Sequence, residues 1–144
     1  MFKVLSTIGF LGMAGGVVGL LATSSLLSPS PLAVAPQAAA VLLMAWARST
    51  LGRRSFHFAA NPTEGGLVSA GPYRCLRHPI YSAACLFTAA GAVAHQSRFA
   101  AVLCGLVLGG ALVRLWCEEK LLAAHYPQFS EYAAKTWRMI PYVF

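Results

Sequence analysis

Lys3 is followed by an uncharged run from Val4 to Ser28, about 25 residues against the roughly 20 that a helix needs to cross a bilayer. No other feature limits the fold of this chain as much. A Lys ahead of an apolar stretch also opens a secretory leader, but the apolar core of a leader is shorter than this one. Gly12 with Gly16, and Gly15 with Gly19, are spaced to let a second helix approach closely.

Three more apolar runs follow. Ser28-Pro-Ser-Pro31 forms a turn, and a second span runs from Leu32 to Ala47, reaching Leu51 if Arg48 snorkels to the interface. Pro36 falls near its start, where proline is tolerated. The third span covers Pro79 to His95 and the fourth Phe99 to Cys117. So short a link between them makes an antiparallel hairpin. Gly105 and Gly109 offer a close-packing face on the fourth span, and such glycine-rich faces also suit contact with a second copy of the chain. The chain is 58% hydrophobic and only 10% charged, and the clustering of its apolar residues is the membrane signature. The expected fold is a single all-α integral membrane domain over residues 1–144. It has four transmembrane helices (residues 4–28, 32–51, 79–95 and 99–117), a cytoplasmic loop and an amphipathic carboxyl-terminal helix from Pro127 to Trp137.

The charges fix an orientation. Four spans put the amino terminus, the Gly52–His78 loop and the carboxyl tail on one side. Lys3, Arg48, Arg53, Arg54, Arg74, Arg77, Arg114, Lys120, Lys135 and Arg138 fall there, against Arg98 alone opposite. That bias places both termini in the cytoplasm. It also accounts for the net charge of +7 without a nucleic-acid partner. Phe129, Tyr132, Trp137 and Tyr142 fit an aromatic belt at the membrane surface. Cys75, Cys85, Cys104 and Cys117 form no Cys-x-x-Cys pair and read as reduced packing residues. His57, His78, His95 and His125 lack zinc-like spacing, so no metal is expected.

The polar loop spanning Gly52 to His78 is long for a connector and reads as functional. At its end, Gly71-Pro-Tyr-Arg-Cys-Leu-Arg-His-Pro-Ile-Tyr81 meets the third span. Pro79 suits the first turn of a helix, which leaves amides from Ile80 and Tyr81 onward at a positive helix mouth. With Arg74, Arg77 and His78 beside it, this mouth can receive an anionic group; alternatively Arg77 and His78 merely mark the end of a membrane helix. Glu118 and Glu119 stand at the carboxyl end of the fourth span, where the helix dipole disfavours carboxylates. Either they are solvated and pair with Arg114 and Lys120, or they hold a cationic ligand beside the mouth at Pro79. One molecule carrying both a carboxylate and an ammonium or sulfonium would satisfy both ends.

Leu67-Val-Ser-Ala-Gly-Pro-Tyr73, Arg77-His-Pro-Ile-Tyr81 and Arg114-x-x-x-Glu118-Glu119, with Tyr126, Tyr132 and Ile140-Pro141 downstream, resemble the core of the isoprenylcysteine carboxyl methyltransferases. The wider group includes phospholipid N-methyltransferases. The resemblance covers Gly65 to Pro141. It implies a membrane methyltransferase dependent on S-adenosylmethionine. Cofactor contacts would fall on Gly65, Gly66, Leu67, Val68, Tyr73, His78, Pro79, Ile80, Tyr81, Glu118 and Glu119, and Arg114 would orient the acceptor. Two departures stand out: Glu64-Gly-Gly occupies a place where relatives often carry a histidine, and four spans are fewer than in well-known members.

The chemistry is compatible with these residues. A sulfonium is already an activated leaving group, so alignment is the main demand, and it can contribute about 7–11 kcal/mol. A carboxylate acceptor is itself a nucleophile, whereas an amine would need a base such as His78, His125 or a glutamate. No Gly-rich nucleotide fingerprint of the soluble type occurs. The acceptor is expected to be lipophilic and to enter from the surrounding membrane lipid. A phospholipid, amine or thiol methyltransferase of the same architecture is the nearest alternative. A nicotinamide-dependent sterol reductase is disfavoured by the short chain, and a transporter by the lack of ionisable groups at mid-span. A non-catalytic helical scaffold would leave the Glu118-Glu119 pair without a role.

Overall fold

A computed structural model describes residues 1–52 and 66–144. Among the described residues there are five α-helices, α1 (Phe2–Ala22), α2 (Pro31–Leu51), α3 (Pro79–His95), α4 (Arg98–His125) and the short α5 (Phe129–Ala134), with a 3-10 turn at Gly71–Arg74. Among the described residues there is no strand, only an isolated parallel bridge between Leu76 and Trp137. Three helices, α1, α2 and α4, are long and apolar enough to cross a membrane. The third expected span, α3, has 17 residues, which at the α-helical rise is roughly 26 Å, just short of a hydrocarbon core.

α1 packs on α4 and α2 on α3, with a smaller seam between α3 and α4. Both pairs are antiparallel. Along α1, Gly9 meets Gly110 and Gly16 meets Leu103 and Val107, while the Phe2 ring packs tilted against Trp116, ring centroids 5.4 Å apart. At the end of α2, Trp46 and Thr50 lie against Gly71. The start of α1, the start of α3 and the far end of α4 therefore gather at one end. Val4, Ile8, Leu11, Leu42, Val102, Leu106 and other large side chains remain exposed, an outward apolar surface suited to lipid rather than water.

The first apolar run reaches Ser28, yet α1 stops at Ala22. Thr23 Oγ1 donates to the Gly19 carbonyl at 2.9 Å, Ser24 is left-handed, and Ser25 Oγ donates to the Thr23 carbonyl. These hydroxyls offer the backbone an alternative to continuing the helix. Leu26 then folds inward over α3, where a Cβ on Gly91 would collide with the Leu26 carbonyl. Buried Gln37 fastens this crossing, its Nε2 donating to Leu26 O at 2.7 Å and Phe87 O at 3.3 Å. Pro36 lies inside α2, beyond its first turn, because the helix begins at Pro31.

α4 departs most from expectation. Ser97 caps it, accepting from the Ala100 amide, and it continues past Cys117 to His125. The residues after Cys117, Glu-Glu-Lys-Leu-Leu-Ala-Ala, are good helix formers, and the first breaker is Pro127. Glu118 and Glu119 are thus in a helix interior, and the dipole argument against them does not apply. Beyond α4, α5 is confined to Phe129–Ala134, shorter than the expected Pro127–Trp137 helix. Gly12, Gly16 and Gly19 face Leu103, Leu106 and Val107 of the same chain, whereas Gly15, Gly105 and Gly109 face open space.

Candidate active site

His78 is the N-cap of α3, and Pro79 at the first helical position leaves the side chain just outside the helix mouth. The α3–α4 hairpin sets that mouth against the Glu118 turn. His78 Nδ1 lies 3.6 Å from Glu118 Oε2 and Nε2 lies 3.5 Å from Glu119 Oε1. Both separations exceed hydrogen-bonding distance, and Nε2, fully buried, has no hydrogen-bond partner among the described residues. Burial alone would pull the imidazole pKa down, but the two carboxylates outweigh it, and the net shift is upward from 6.5.

A second row of groups extends from this pair. The Tyr81 hydroxyl donates to Glu118 Oε1 and accepts from Arg114 Nε at 2.8 Å. Arg114 Nη2 is 3.4 Å from Glu118 Oε1. Arg114 is only 5% exposed, so the cost of burying its charge has to be offset by these partners. Tyr81 also stacks on His78 at 5.7 Å between centroids.

Arg77 faces the other way. Its Nε donates to Glu119 Oε1 at 2.8 Å, and its Nη1 donates to the carbonyls of Ala133 and Thr136. Arg138 Nε donates to Glu119 Oε2 at 3.1 Å. The segment carrying Arg138 is laced to the segment before α3: Trp137 N donates to Cys75 O, Arg77 N to Trp137 O and His78 N to Arg138 O. Ser82 Oγ adds a bond to Met139 O at 2.7 Å. The carboxyl-terminal segment therefore forms one wall of the site.

The structure brings His78, Tyr81, Arg114, Glu118 and Glu119 into one cluster, with Pro79 shaping its entrance and half-buried Ile80 beside it. Tyr73 is buried nearby. Its pKa is raised by burial first, then by Tyr132 and Glu118, and its carbonyl accepts from the Tyr132 hydroxyl at 2.8 Å. Gly66, Leu67 and Val68 lie in the half-buried approach to the 3-10 turn and take no part in the contacts just described. Gly65 lies outside the described residues, as do Arg53, Arg54, His57 and Glu64.

Two expectations need correction. Arg77 is not a receiver of anions at the mouth, because Glu119 and two carbonyls already occupy its guanidinium. Phe129 and Tyr132 are not belt residues: Phe129 is buried, and Tyr132, its pKa pushed up to about 12 chiefly by burial, is bonded inward. Trp137 and Tyr142 do remain exposed. The sequence reading missed Arg138, Ser82 and the carbonyls of Ala133 and Thr136. No local pattern marks them, since each acts through a contact across more than one element.

Three guanidiniums, from Arg77, Arg114 and Arg138, and the His78 ring face two carboxylates, leaving a surplus of positive charge within reach of buried acids. Such a cluster can bind a zwitterion, and its hydroxyl and carboxylates can orient a reacting group. Among the described residues no group of acids, cysteines and histidines is arranged to hold a metal ion. Residues 30–128 match the family model for phospholipid methyltransferases. No curated protein and no solved structure matches the chain.

Proposed function

The chain belongs to the phospholipid methyltransferase family, and from that premise we propose that it transfers a methyl group from S-adenosylmethionine to a lipophilic acceptor at the cytoplasmic membrane face. The observation that carries this reading is the position of His78 between Glu118 and Glu119 at the mouth of α3. The residues fit the cofactor. The unpartnered, buried Nε2 of His78 is a donor for an anionic oxygen, and the two acids supply negative charge for an ammonium or sulfonium.

S-adenosylmethionine, when bound, supplies a methyl group on an activated sulfonium leaving group. His78, Glu118 and Glu119 would hold it, with Tyr73, Pro79, Ile80 and Tyr81 lining its place and Gly66 to Val68 approaching from the loop. His78 and the acids touch at distances too long for hydrogen bonds, so each keeps capacity for a ligand. Arg114 and Tyr81 orient the acceptor, and the apolar surroundings exclude water from the reacting groups. The charge bias, with the start of α1, the start of α3 and the far end of α4 at one end, supports four spans with both termini in the cytoplasm.

The family favours a phospholipid amine as acceptor. A second reading, an isoprenylcysteine-type carboxylate, is favoured by the buried Arg114 guanidinium, a cation suited to an anionic acceptor. The test is incubation of the purified protein in detergent with methyl-labelled S-adenosylmethionine and, in parallel, amine phospholipid vesicles, a prenylated cysteine and total lipid extract. Label in the vesicle lipid supports the first acceptor, and label in the prenylcysteine ester the second. Failure to bind S-adenosylmethionine in calorimetry overturns the proposal.

A further inference from the structure

The family match begins at residue 30, so α1 lies outside it, yet α1 reaches the buried arginine of the site. Arg114 Nη1 points at the Ser6 carbonyl at 3.4 Å, and the Arg114 Cζ sits 5.3 Å from the centroid of the Phe10 ring, with the Tyr81 ring 5.8 Å away. We infer that α1 positions Arg114 for the acceptor, with the Phe10 ring and the Ser6 carbonyl holding the guanidinium at the angle set by Tyr81 and Glu118. Phe10 and Ser6 are positioning residues, not catalytic ones. The inference rests on the proposed role of Arg114 toward the acceptor.

The close approach of α1 to α4 makes this contact available. A Cβ on Gly9 would come within 2.8 Å of the Gly110 carbonyl and 3.1 Å of Arg114 Cγ, and one on Gly110 would strike the Gly9 carbonyl. The two backbones therefore touch one turn from Arg114, and Ser6 is fully buried there. An aromatic face over a desolvated cation is attractive. Without it the guanidinium keeps its bonds to Tyr81 and Glu118 but loses the restraint on the side that faces α1.

The test compares Phe10→Leu, Phe10→Trp and Gly9→Ala with Gly15→Ala, whose added methyl meets nothing within 4 Å. The full chain in detergent is assayed with S-adenosylmethionine and with whichever acceptor takes label. Phe10→Leu and Gly9→Ala should each lower kcat/KM for the acceptor about tenfold, while the S-adenosylmethionine Kd stays within about twofold of the parent. Phe10→Trp should restore the rate, and Gly15→Ala should match the parent. Equal rates in Phe10→Leu and Phe10→Trp would overturn the inference. A readout independent of turnover is the NMR signal of the Arg114 Nε–H, assigned with Arg114→Lys. It should move in Phe10→Leu and return toward the parent position in Phe10→Trp. If the parent methylates nothing but this signal behaves as stated, the proposed function fails and the α1 contact stands; an unmoved signal removes the contact itself.

Discussion

Arg77 Nε donates to Glu119 Oε1 at 2.8 Å, across 42 positions of sequence, and so ties the approach to α3 to the interior of α4. The same guanidinium holds the carbonyls of Ala133 and Thr136. One side chain thus joins three separate stretches of the chain around the site. Removing it leaves a largely buried carboxylate with a weaker set of partners, and breaking such a pair costs about 3–5 kcal/mol. Arg77→Ala should destabilise the protein by about 3 kcal/mol, read as unfolding by denaturing detergent in mixed micelles. Arg77→Lys should recover less than half of the loss, since a single ammonium cannot serve the acid and both carbonyls.

Glu118 and His78 are expected to matter for the cofactor and Arg114 for the acceptor. Glu118→Ala and His78→Ala should each weaken S-adenosylmethionine binding by about a hundredfold or more, the scale for losing one partner of a buried charged pair. Arg114→Ala should leave that affinity nearly unchanged and reduce turnover. Calorimetry on the three variants, alongside initial rates, separates the roles. Parent-like affinity in both of the first two variants would remove them from the cofactor site.

Stability should depend on pH through His78. Its folded pKa is raised above the ordinary imidazole value, because Glu118 and Glu119 favour the charged ring more than burial disfavours it. A raised folded value means that the contribution is fully present below about pH 6.5, the unfolded value. It is lost as pH rises through the higher folded value. The midpoint of unfolding should therefore fall on the alkaline side of 6.5, and the fall attributable to this site should be absent in His78→Gln.

Gly91 carries the crossing of the α1–α2 connection over α3. An added methyl would run into the Leu26 backbone, with the Leu26 carbonyl carbon 2.8 Å away and the Ser25 carbonyl 3.0 Å away. Backbone cannot yield as a flexible side chain does. Gly91→Ala should cost about 2 kcal/mol by overpacking, whereas Gly105→Ala, facing open space, should be neutral or slightly stabilising through helix propensity. The same micellar unfolding titration compares the two.

The sequence by itself determined the membrane class, the presence of the long apolar helices and the residue types of the candidate site. Apolar run length and the absence of charge are local properties, and Pro79 announces a helix start wherever the rest of the chain lies. The Arg-His-Pro and Glu-Glu elements were legible because a short hairpin link forces their ends together. The tertiary structure decided what these groups do to one another. The continuation of α4 moved Glu118 and Glu119 from a helix end to a helix interior, a boundary that the end of an apolar run misplaces because Glu, Lys, Leu and Ala are all good helix formers. It also decided that Arg77 is taken by Glu119, that Tyr81 bridges Arg114 to Glu118, and that Phe10 lies over Arg114. Ion pairs and ring contacts of this kind depend on the three-dimensional approach of α1, α4 and the segment after α5. Spacing along one chain cannot encode that approach, because it is set by which helix faces pack and by the glycines that let them touch.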